Sequence, residues 1–254
     1  MRERQPVRNE AFDRLRRLTP ARVGLGRAGQ GLPTESMLEF QLAHARAQDA
    51  VRAELDLARL GRKLPHPFLV VESAAGNRAT YLQRPDLGRR LSESVLDLPR
   101  GGCDLAIVLG DGLSATAVEA HAPPLLAALL PMLAGWTVSP VIVARQARVA
   151  LGDPIGERLG ARCVLMLIGE RPGLSAADSL GAYLTWNPIP GRRDSERNCV
   201  SNIRTRDGLH PLAAADKILW LLNEARRLSA TGIVLKDRHV ALPGDEAPIR
   251  WLEQ

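Results

Sequence analysis

The chain has 254 residues, of which 45% are hydrophobic and only 4% aromatic, so its core must rest on Leu, Val, Ile and Ala. Its formal net charge is +6, but 34 basic residues face 28 acidic ones, without the long basic block or the aromatic signature that would predict a nucleic-acid partner. Three widely spaced cysteines argue against a disulfide framework, and the lack of a signal peptide or a membrane-length apolar run predicts a cytoplasmic chain with no membrane partner.

Residues 1–65 are predicted to form a helical N-terminal arm. Apolar residues at helical spacing indicate a short helix before Pro20. A second helix is expected to begin at Thr34, which follows a proline and can cap it, and to run to about Leu57. Between the two helices, the glycines of 24–29 formally match a dinucleotide-binding loop. No strand of adequate length precedes them, so we reject that interpretation.

Residues 66–254 follow a proline-rich boundary at Pro65-His66-Pro67 and are predicted to form an α/β domain with a mostly parallel sheet and flanking helices. Short apolar runs indicate strands at Phe68–Val71, Thr80–Leu82, Asp104–Leu109, Val141–Ala144, Cys163–Ile168 and Tyr183–Trp186. Helical spacing and capping signals indicate helices at Pro85 to Leu96, Ala115 to Leu133 with a break or kink at Pro123 and Pro124, Ile155 to Leu159 after an Asp153 cap, and Pro211 to Leu228. The tail after Thr231 has no assigned element.

Three loops follow the carboxyl ends of predicted strands, at Gly110–Ser114, Arg145–Gly152 and Gly169–Gly173. Parallel packing would gather them at one edge of the sheet, which is where open α/β sheets bind ligands. A further polar run, Ser195–Asn202, follows the last predicted strand and is rich in groups that bind neutral amides and hydroxyls. These loops therefore predict a site for a sizeable ligand.

Standard catalytic constellations are absent from the sequence. The five histidines show no H-E-x-x-H spacing, and neither a G-x-S-x-G elbow nor a Walker sequence occurs. Cys199 has no visible base beside it, and most lone cysteines are inert packing residues. We therefore assign no catalytic and no metal-binding residue, and predict a binding module rather than a self-sufficient catalyst.

Several stretches of the chain closely resemble the small (light) subunit of ethanolamine ammonia-lyase. They occur in family order over roughly residues 12–230, and an ordered set of long matches is far more specific than any one motif. The matching stretches are Ala21–Val23 with Gly26–Gly29, Tyr81–Leu91, Asp111–Ser114, Ile155–Glu157, Gly169–Leu174 and Cys199–Ile203.

The resemblance implies a subunit of an adenosylcobalamin-dependent lyase that converts ethanolamine to acetaldehyde and ammonia by a radical mechanism. In that family the large subunit is a barrel that holds the substrate, and the two chains assemble as a hetero-oligomer of large-small pairs. The small subunit has a Rossmann-like domain, here residues 66–254, which covers the cobalamin at the subunit interface. The cofactor binds base-on, and the base-off motif D-x-H-x-x-G is indeed absent from this sequence.

The resemblance also implies three cobalamin contacts. Val149, matched through the pair Arg148-Val149, can offer apolar area or a backbone group. Glu170, matched through Gly169-Glu170-Arg171, can accept hydrogen bonds from the amide arms of the corrin ring or from a hydroxyl. Cys199, matched through Asn198-Cys199-Val200, can pack against the ligand or donate weakly.

Two points are left open. Arg84, Arg89 and Arg90 lie in a matching stretch and would contact either the large subunit, the cofactor's phosphate or only solvent. Some family members carry a longer N-terminal extension that is thought to direct packing into a bacterial microcompartment, and few residues precede the helix around Phe12 here.

The alternative function is a free-standing α/β enzyme or sensor that binds a nucleotide-like ligand in the same crevice.

Overall fold

The computed structural model describes residues 10–19, 21–65, 67–93 and 98–239, and these form a mixed α/β structure around a six-stranded sheet. The strands are β1 Phe68–Glu72, β2 Cys103–Gly110, β3 Val141–Arg145, β4 Ala161–Gly169, β5 Leu180–Trp186 and β6 Arg197–Ile203. The helices are α1 Glu10–Leu18, α2 Thr34–Arg52, α3 Leu57–Gly61, α4 Arg78–Gln83, α5 Ala115–Leu129, α6 Gly152–Leu159 and α7 Pro211–Leu228.

The strand order is β1-β3-β2-β4-β5-β6. The first four strands in this order pair in parallel, whereas β5 is antiparallel to both β4 and β6. The carboxyl ends of β1, β2, β3, β4 and β6 therefore lie at one edge of the sheet, which we call the carboxyl edge, and the opposite one is the amino edge. The predicted strands in β1 to β5 are confirmed. The sixth strand, β6, includes most of the polar run 195–202, to which the sequence analysis assigns no element.

Helices cover the two faces of the sheet unequally. Strand β2 is apolar along its length because both of its faces are buried, with Leu105, Ile107 and Leu109 packed on one side and Ala106 and Val108 on the other. The first face carries α3, α5 and α7 across the whole sheet. The second face carries α6 and a 3₁₀ turn over β1 to β4, but leaves polar and exposed residues along β6.

Of the break or kink predicted at Pro123 and Pro124, the break does not occur, because α5 runs without interruption through both prolines. A proline inside a helix removes the N–H that would bond the carbonyl four residues earlier. For Pro123 that carbonyl belongs to Glu119, and the ammonium of Lys63 donates to it at 3.2 Å. A side chain from outside the helix thus replaces the lost hydrogen bond.

Several predicted elements differ from the structure. The segment predicted as a strand at Thr80–Leu82 is part of helix α4, which begins after Asn77, whose side chain accepts a hydrogen bond from the Thr80 amide. The helix predicted for Pro85 to Leu96 is only a 3₁₀ turn, Leu87–Arg89, in the described part, and residues 94–97 lie outside it.

Two predicted helix boundaries are also wrong. Helix α2 ends at Arg52 instead of Leu57, since Asp56 caps the next helix, α3, through the amide of Arg59. Asp153 is not a cap of α6 but lies inside the helix, where its carboxylate makes a buried two-point ion pair with Arg197 of β6 at 2.7 Å.

Candidate functional site

The loops after β2 and β4 interlock at the carboxyl edge. The Leu113 amide donates to the carbonyl of Gly169 at 2.9 Å, and Gly112 has a left-handed φ of 56° that favours glycine. A Cβ at Gly169 would overlap the backbone of Ser114, and one at Gly112 would overlap the carbonyl of Gly169. The glycines in these two loops are therefore required by the close approach of one backbone to the other.

The loop after β3 is fixed by a buried carboxylate. Asp111, at the end of β2, accepts hydrogen bonds from the amides of Gln146 and Ala147, both at 2.9 Å. Gln146 itself has a φ of 55°, so this loop turns through a left-handed residue. Burial raises the pKa of Asp111, although these two amides lower it. The bonds hold the turn that leads into Arg148 and Val149.

Helix α4 packs across the same edge through Tyr81. Its hydroxyl donates to the carbonyl of Ala147 at 2.9 Å, and the guanidinium of Arg148 lies 4.5 Å from the centre of its ring. The Arg148 amide donates to Gly88 at 2.8 Å, and a Cβ on Gly88 would crowd both Tyr81 and Arg148. Burial raises the pKa of Tyr81 to about 12, so the hydroxyl stays a proton donor at neutral pH.

The strand-end loops enclose a cavity of about 220 Å³ that two of the three predicted contacts line. Val149 begins the 3₁₀ turn Val149–Leu151 and is half-buried against the second face of the sheet, and Glu170 follows directly after β4. The lining residues are Tyr81, Gly112, Leu113, Arg148, Val149, Ile168, Gly169, Glu170, Arg171 and Tyr183.

Glu170 is held in place by three donors. The hydroxyl of Ser179 donates to one carboxylate oxygen and that of Ser201 to the other, the latter at 2.5 Å, and the Asn202 amide donates at 3.2 Å. Gly181 leaves the space for this carboxylate, because a Cβ there would lie 2.9 Å from Oε1. Lone pairs remain on a half-exposed carboxylate of fixed orientation, so Glu170 can still accept hydrogen bonds from a ligand.

Cys199 lies beside this cavity and not in its wall. It is exposed on β6 and pairs in register with Tyr183 of β5, whose ring lines the cavity. Partial burial raises the pKa of the thiol, the Tyr183 hydroxyl lowers it, and the charge of Glu170 raises it. The structure thus brings Val149 and Glu170 into one cavity at the carboxyl edge, and it places Cys199 inside β6, next to Tyr183 and away from the end of the strand.

A second cavity, of about 480 Å³, adjoins the first and shares Leu113, Arg148 and Arg171 with it. It lies between helix α2 and the strand-end loops. Its other lining residues are His44, Ala47, Gln48, Val51, Arg52, Leu82 and Pro172. We call the two cavities together the carboxyl-edge groove.

Sequence reasoning missed Tyr81 and Tyr183 as site residues. They are the two tyrosines of the chain, in which aromatic residues make up only 4%, and both line the same cavity. The scarcity of aromatic residues, together with the position of Tyr183 in a predicted strand, is the signal that could have identified them.

A further cavity, of about 690 Å³, lies at the amino edge, away from the predicted contacts. In the described ranges, no group of three or more His, Cys, Asp or Glu side chains is arranged to hold a metal ion. None of the helices described is both long and apolar enough to cross a membrane.

Comparison with known proteins matches residues 9–236 to the family model of the ethanolamine ammonia-lyase light chain. The chain is 54% identical to an ethanolamine ammonia-lyase small subunit of Bradyrhizobium diazoefficiens over 93% of its own length and 92% of the relative's. It is 50% identical to the small subunit of Azotobacter vinelandii over 93% and 92%, and 51% identical to that of Xanthomonas campestris pv. campestris over 90% and 88%.

Proposed function

The chain belongs to the ethanolamine ammonia-lyase light-chain family, and from this premise we propose that it binds adenosylcobalamin, base-on, together with a catalytic large subunit. In this role the pair converts ethanolamine to acetaldehyde and ammonia by a radical mechanism, in the cytoplasm. We further propose that residues 66–254 are a Rossmann-like cobalamin-binding domain, and that residues 1–65 are a helical arm. The single observation that supports the proposal is that Val149 and Glu170 line one cavity, and that Cys199 is the strand neighbour of Tyr183, which lines the same cavity.

The residues present fit a corrinoid with amide arms. Glu170 offers oriented acceptors, Tyr183 and Val149 offer apolar surface beside it, and the Nε atom of Arg148 is buried without a hydrogen-bond partner in the described part of the chain. A cavity of about 220 Å³ is much too small to enclose a corrinoid. A site formed by this chain alone would therefore be incomplete, which supports completion by a second subunit.

Exposed apolar side chains support the need for a partner. Helix α2 leaves Met37, Leu38, Phe40 and Leu42 exposed, and α1 leaves Phe12, Leu15 and Leu18 exposed. Groups of exposed apolar side chains are typical of protein interaction sites. We propose that these two helices contact the large subunit.

Each residue of the site has a binding role in this mechanism. The chemistry that the bound cofactor would supply is a carbon-centred radical, from homolysis of its cobalt–carbon bond. Glu170 would accept hydrogen bonds from the amide arms and so fix the orientation of the corrin ring. Val149 and Tyr183 would exclude water from its edge, and Cys199 would pack beside them. The chain itself moves no proton in this scheme.

Co-purification with a candidate large subunit tests the proposal. We expect cobalamin-dependent deamination of ethanolamine from the pair and none from either chain alone. Activity of this chain alone, or cobalamin-independent ligand binding by it as a free monomer, would contradict the proposal and favour the free-standing enzyme or sensor. Inactivity of a correctly assembled pair with cofactor would also contradict it.

Glu170→Ala provides the site test. In the assembled pair we expect this variant to raise the dissociation constant for cobalamin about tenfold, because a charged acceptor contributes about 1.5–3 kcal/mol. Glu157→Ala removes the same charge from an exposed position of α6 and should leave the constant unchanged. An unchanged constant for Glu170→Ala would remove Glu170 from the site.

A further inference from the structure

The carboxyl-edge groove has opposite charge at its two ends. At the inner end, Glu170 lies beside the half-buried Tyr183. The outer, 480 Å³ cavity contains no carboxylate: its wall has Arg52 and His44, and it shares Arg148 and Arg171 with the inner cavity. A ligand that fills the groove is therefore expected to present N–H donors to Glu170 and an anionic group to the arginines.

From this polarity we propose that Arg148 and Arg171 bind the phosphodiester of the cofactor's nucleotide loop, with Arg52 at the outer margin. The inference rests on the proposed function, because it assumes that the ligand is a cobalamin. It deepens that function by fixing which end of the cofactor meets which end of the groove.

Arg148 is the central donor of the proposed phosphate site. Within the described ranges, no carboxylate lies within ion-pair distance of its guanidinium, and its buried Nε has no acceptor. The side chain is held by stacking on Tyr81, whose ring centre is 4.5 Å away. A guanidinium that is fixed in orientation but lacks an anion is pre-organised to bind one, and phosphate accepts the paired N–H bonds that it offers.

Arg171 lines both cavities and projects from the loop that begins with Glu170. It is exposed, and no ion pair is formed by it among the residues described. The neighbouring loop shows the contrast, because Arg84 and Arg90 both pair with Asp86, at 2.9 and 3.2 Å. Arg84 and Arg90 thus share a carboxylate, whereas Arg148 and Arg171 have none among the described residues.

Glu170 determines which part of the ligand can lie at the inner end of the groove. Its carboxylate would repel a phosphate, and its remaining acceptor capacity suits N–H donors such as the primary amides of the corrin ring. The corrin ring therefore belongs beside Glu170 and Tyr183, and the phosphodiester belongs beside Arg148 and Arg171. This arrangement leaves the 480 Å³ cavity for the nucleotide loop.

The experiment compares two corrinoids on the assembled pair, and it reads binding rather than activity. Cyanocobalamin carries the phosphodiester, whereas cobinamide lacks the phosphate and the base. We expect Arg148→Gln and Arg171→Gln each to weaken cyanocobalamin binding about tenfold, the effect of one charge-assisted hydrogen bond. Cobinamide binding should change less than about twofold, since its amide contacts remain.

Arg162→Gln is the control, since it removes one positive charge from an exposed position at the opposite, amino edge of the sheet. Equal losses for both corrinoids, or an equal loss in Arg162→Gln, would overturn the proposal. Arg171 is exposed, so its variant keeps the test valid if Arg148→Gln destabilises the chain. Arg148→Lys, which keeps the charge, should retain part of the cyanocobalamin affinity that Arg148→Gln loses.

Two further measurements distinguish different roles for these arginines. The first case is a groove that binds free phosphate and not the cofactor's phosphodiester. Inorganic phosphate will then bind the wild-type pair, and each variant will change the affinities for cyanocobalamin and cobinamide equally. That result would overturn the proposal. If the arginines contact the large subunit instead, the variants will fail to co-elute with it on gel filtration, which would overturn it too. A wild-type pair that binds neither corrinoid would instead refute the proposed function itself.

Discussion

Two arginine-rich clefts lie at opposite edges of the sheet, and they differ in how their charges are used. The amino-edge cleft, of about 690 Å³, contains Arg162, Arg192 and Arg226. Arg192 pairs with Glu196 at 2.6 Å, and Asp104 pairs with Arg226 at 3.2 Å and with Arg162 at 3.8 Å. In the carboxyl-edge groove, Arg148 and Arg171 form no ion pair with a described residue.

The two clefts differ in how their arginines are tied into the fold, and not in size. In the amino-edge cleft, Arg226 ties helix α7 to the start of the sheet, since it pairs with Asp104, stacks on Trp136 and donates to the carbonyl of Gly135. Each of the three arginines there contacts a carboxylate. The carboxyl-edge groove is assembled from glycine-rich loops, and its Arg148 and Arg171 contact no carboxylate among the described residues.

The largest expected effect comes from separating the interlocked loops at the carboxyl edge. Gly169→Ala places a methyl group against the Ser114 backbone and 2.7 Å from the Asp111 carbonyl, so the loops after β2 and β4 must separate. Because backbone atoms cannot move aside as a side chain can, we expect a loss of about 3 kcal/mol or more in the free energy of unfolding. Urea denaturation of the isolated chain measures it.

Gly173→Ala is the control in the same loop, because the nearest atom to its Cβ is the Ala176 carbonyl at 3.8 Å. It should change the free energy of unfolding by less than about 0.5 kcal/mol. Equal stability of the two alanine variants would show that the interlocked loops do not stabilise this edge.

A smaller effect separates the two clefts directly. Arg226→Gln removes a cation–π contact whose guanidinium carbon is 3.5 Å from the Trp136 ring centre, with a partly exposed ion pair. We expect a loss of about 1 kcal/mol in stability and no change in cobalamin affinity of the assembled pair. Arg148→Gln should instead act mainly on binding and lower the cobalamin affinity of the assembled pair. Weaker cobalamin binding by Arg226→Gln would contradict the division between a structural cleft and a binding groove.

The contrast between the clefts also shows what the sequence can predict. The apolar runs at β2 and β4 predict buried strands, because strands covered on both faces have no polar alternation. The tendency of ligands to bind beyond the carboxyl ends of parallel strands then predicts that Glu170 lies at this edge, as it does. The sequence thus predicts the backbone loops that form the groove.

The secondary-structure predictions are wrong where a residue outside the local sequence pattern determines the structure of the segment. The apolar character of Thr80–Leu82 predicts a strand, but the Asn77 cap starts a helix there. Pro123 is expected to break α5, and the Lys63 ammonium that satisfies the freed carbonyl of Glu119 lies 56 residues from it in sequence. No local pattern shows which arginines find carboxylates, so the distinction between the two clefts depends on the tertiary fold.

The smallest expected effect is on the rate at which a thiol reagent labels Cys199, beside the inner end of the groove. Cys199 is the exposed cysteine, whereas burial raises the pKa of Cys163 to about 12 and also raises that of the half-buried Cys103. Iodoacetamide reacts with the thiolate, so labelling at pH 8 should occur first at Cys199. It should be slower than at an unstructured cysteine, because partial burial raises the pKa of this thiol too and reduces the thiolate fraction.

Two variants should shift this rate in opposite directions. Glu170→Gln removes a negative charge that raises the pKa of Cys199, so the thiolate fraction and the labelling rate should rise. Tyr183→Phe removes a hydroxyl that lowers the pKa of the same thiol, so the rate should fall. Each change is expected to be a few-fold, since a tenfold change requires a full pKa unit. Mass spectrometry of tryptic peptides over pH 7–9 measures these rates, with Cys199→Ser as the background. Rates that shift in the same direction would show that Glu170, Tyr183 and Cys199 do not form one electrostatic unit beside the groove.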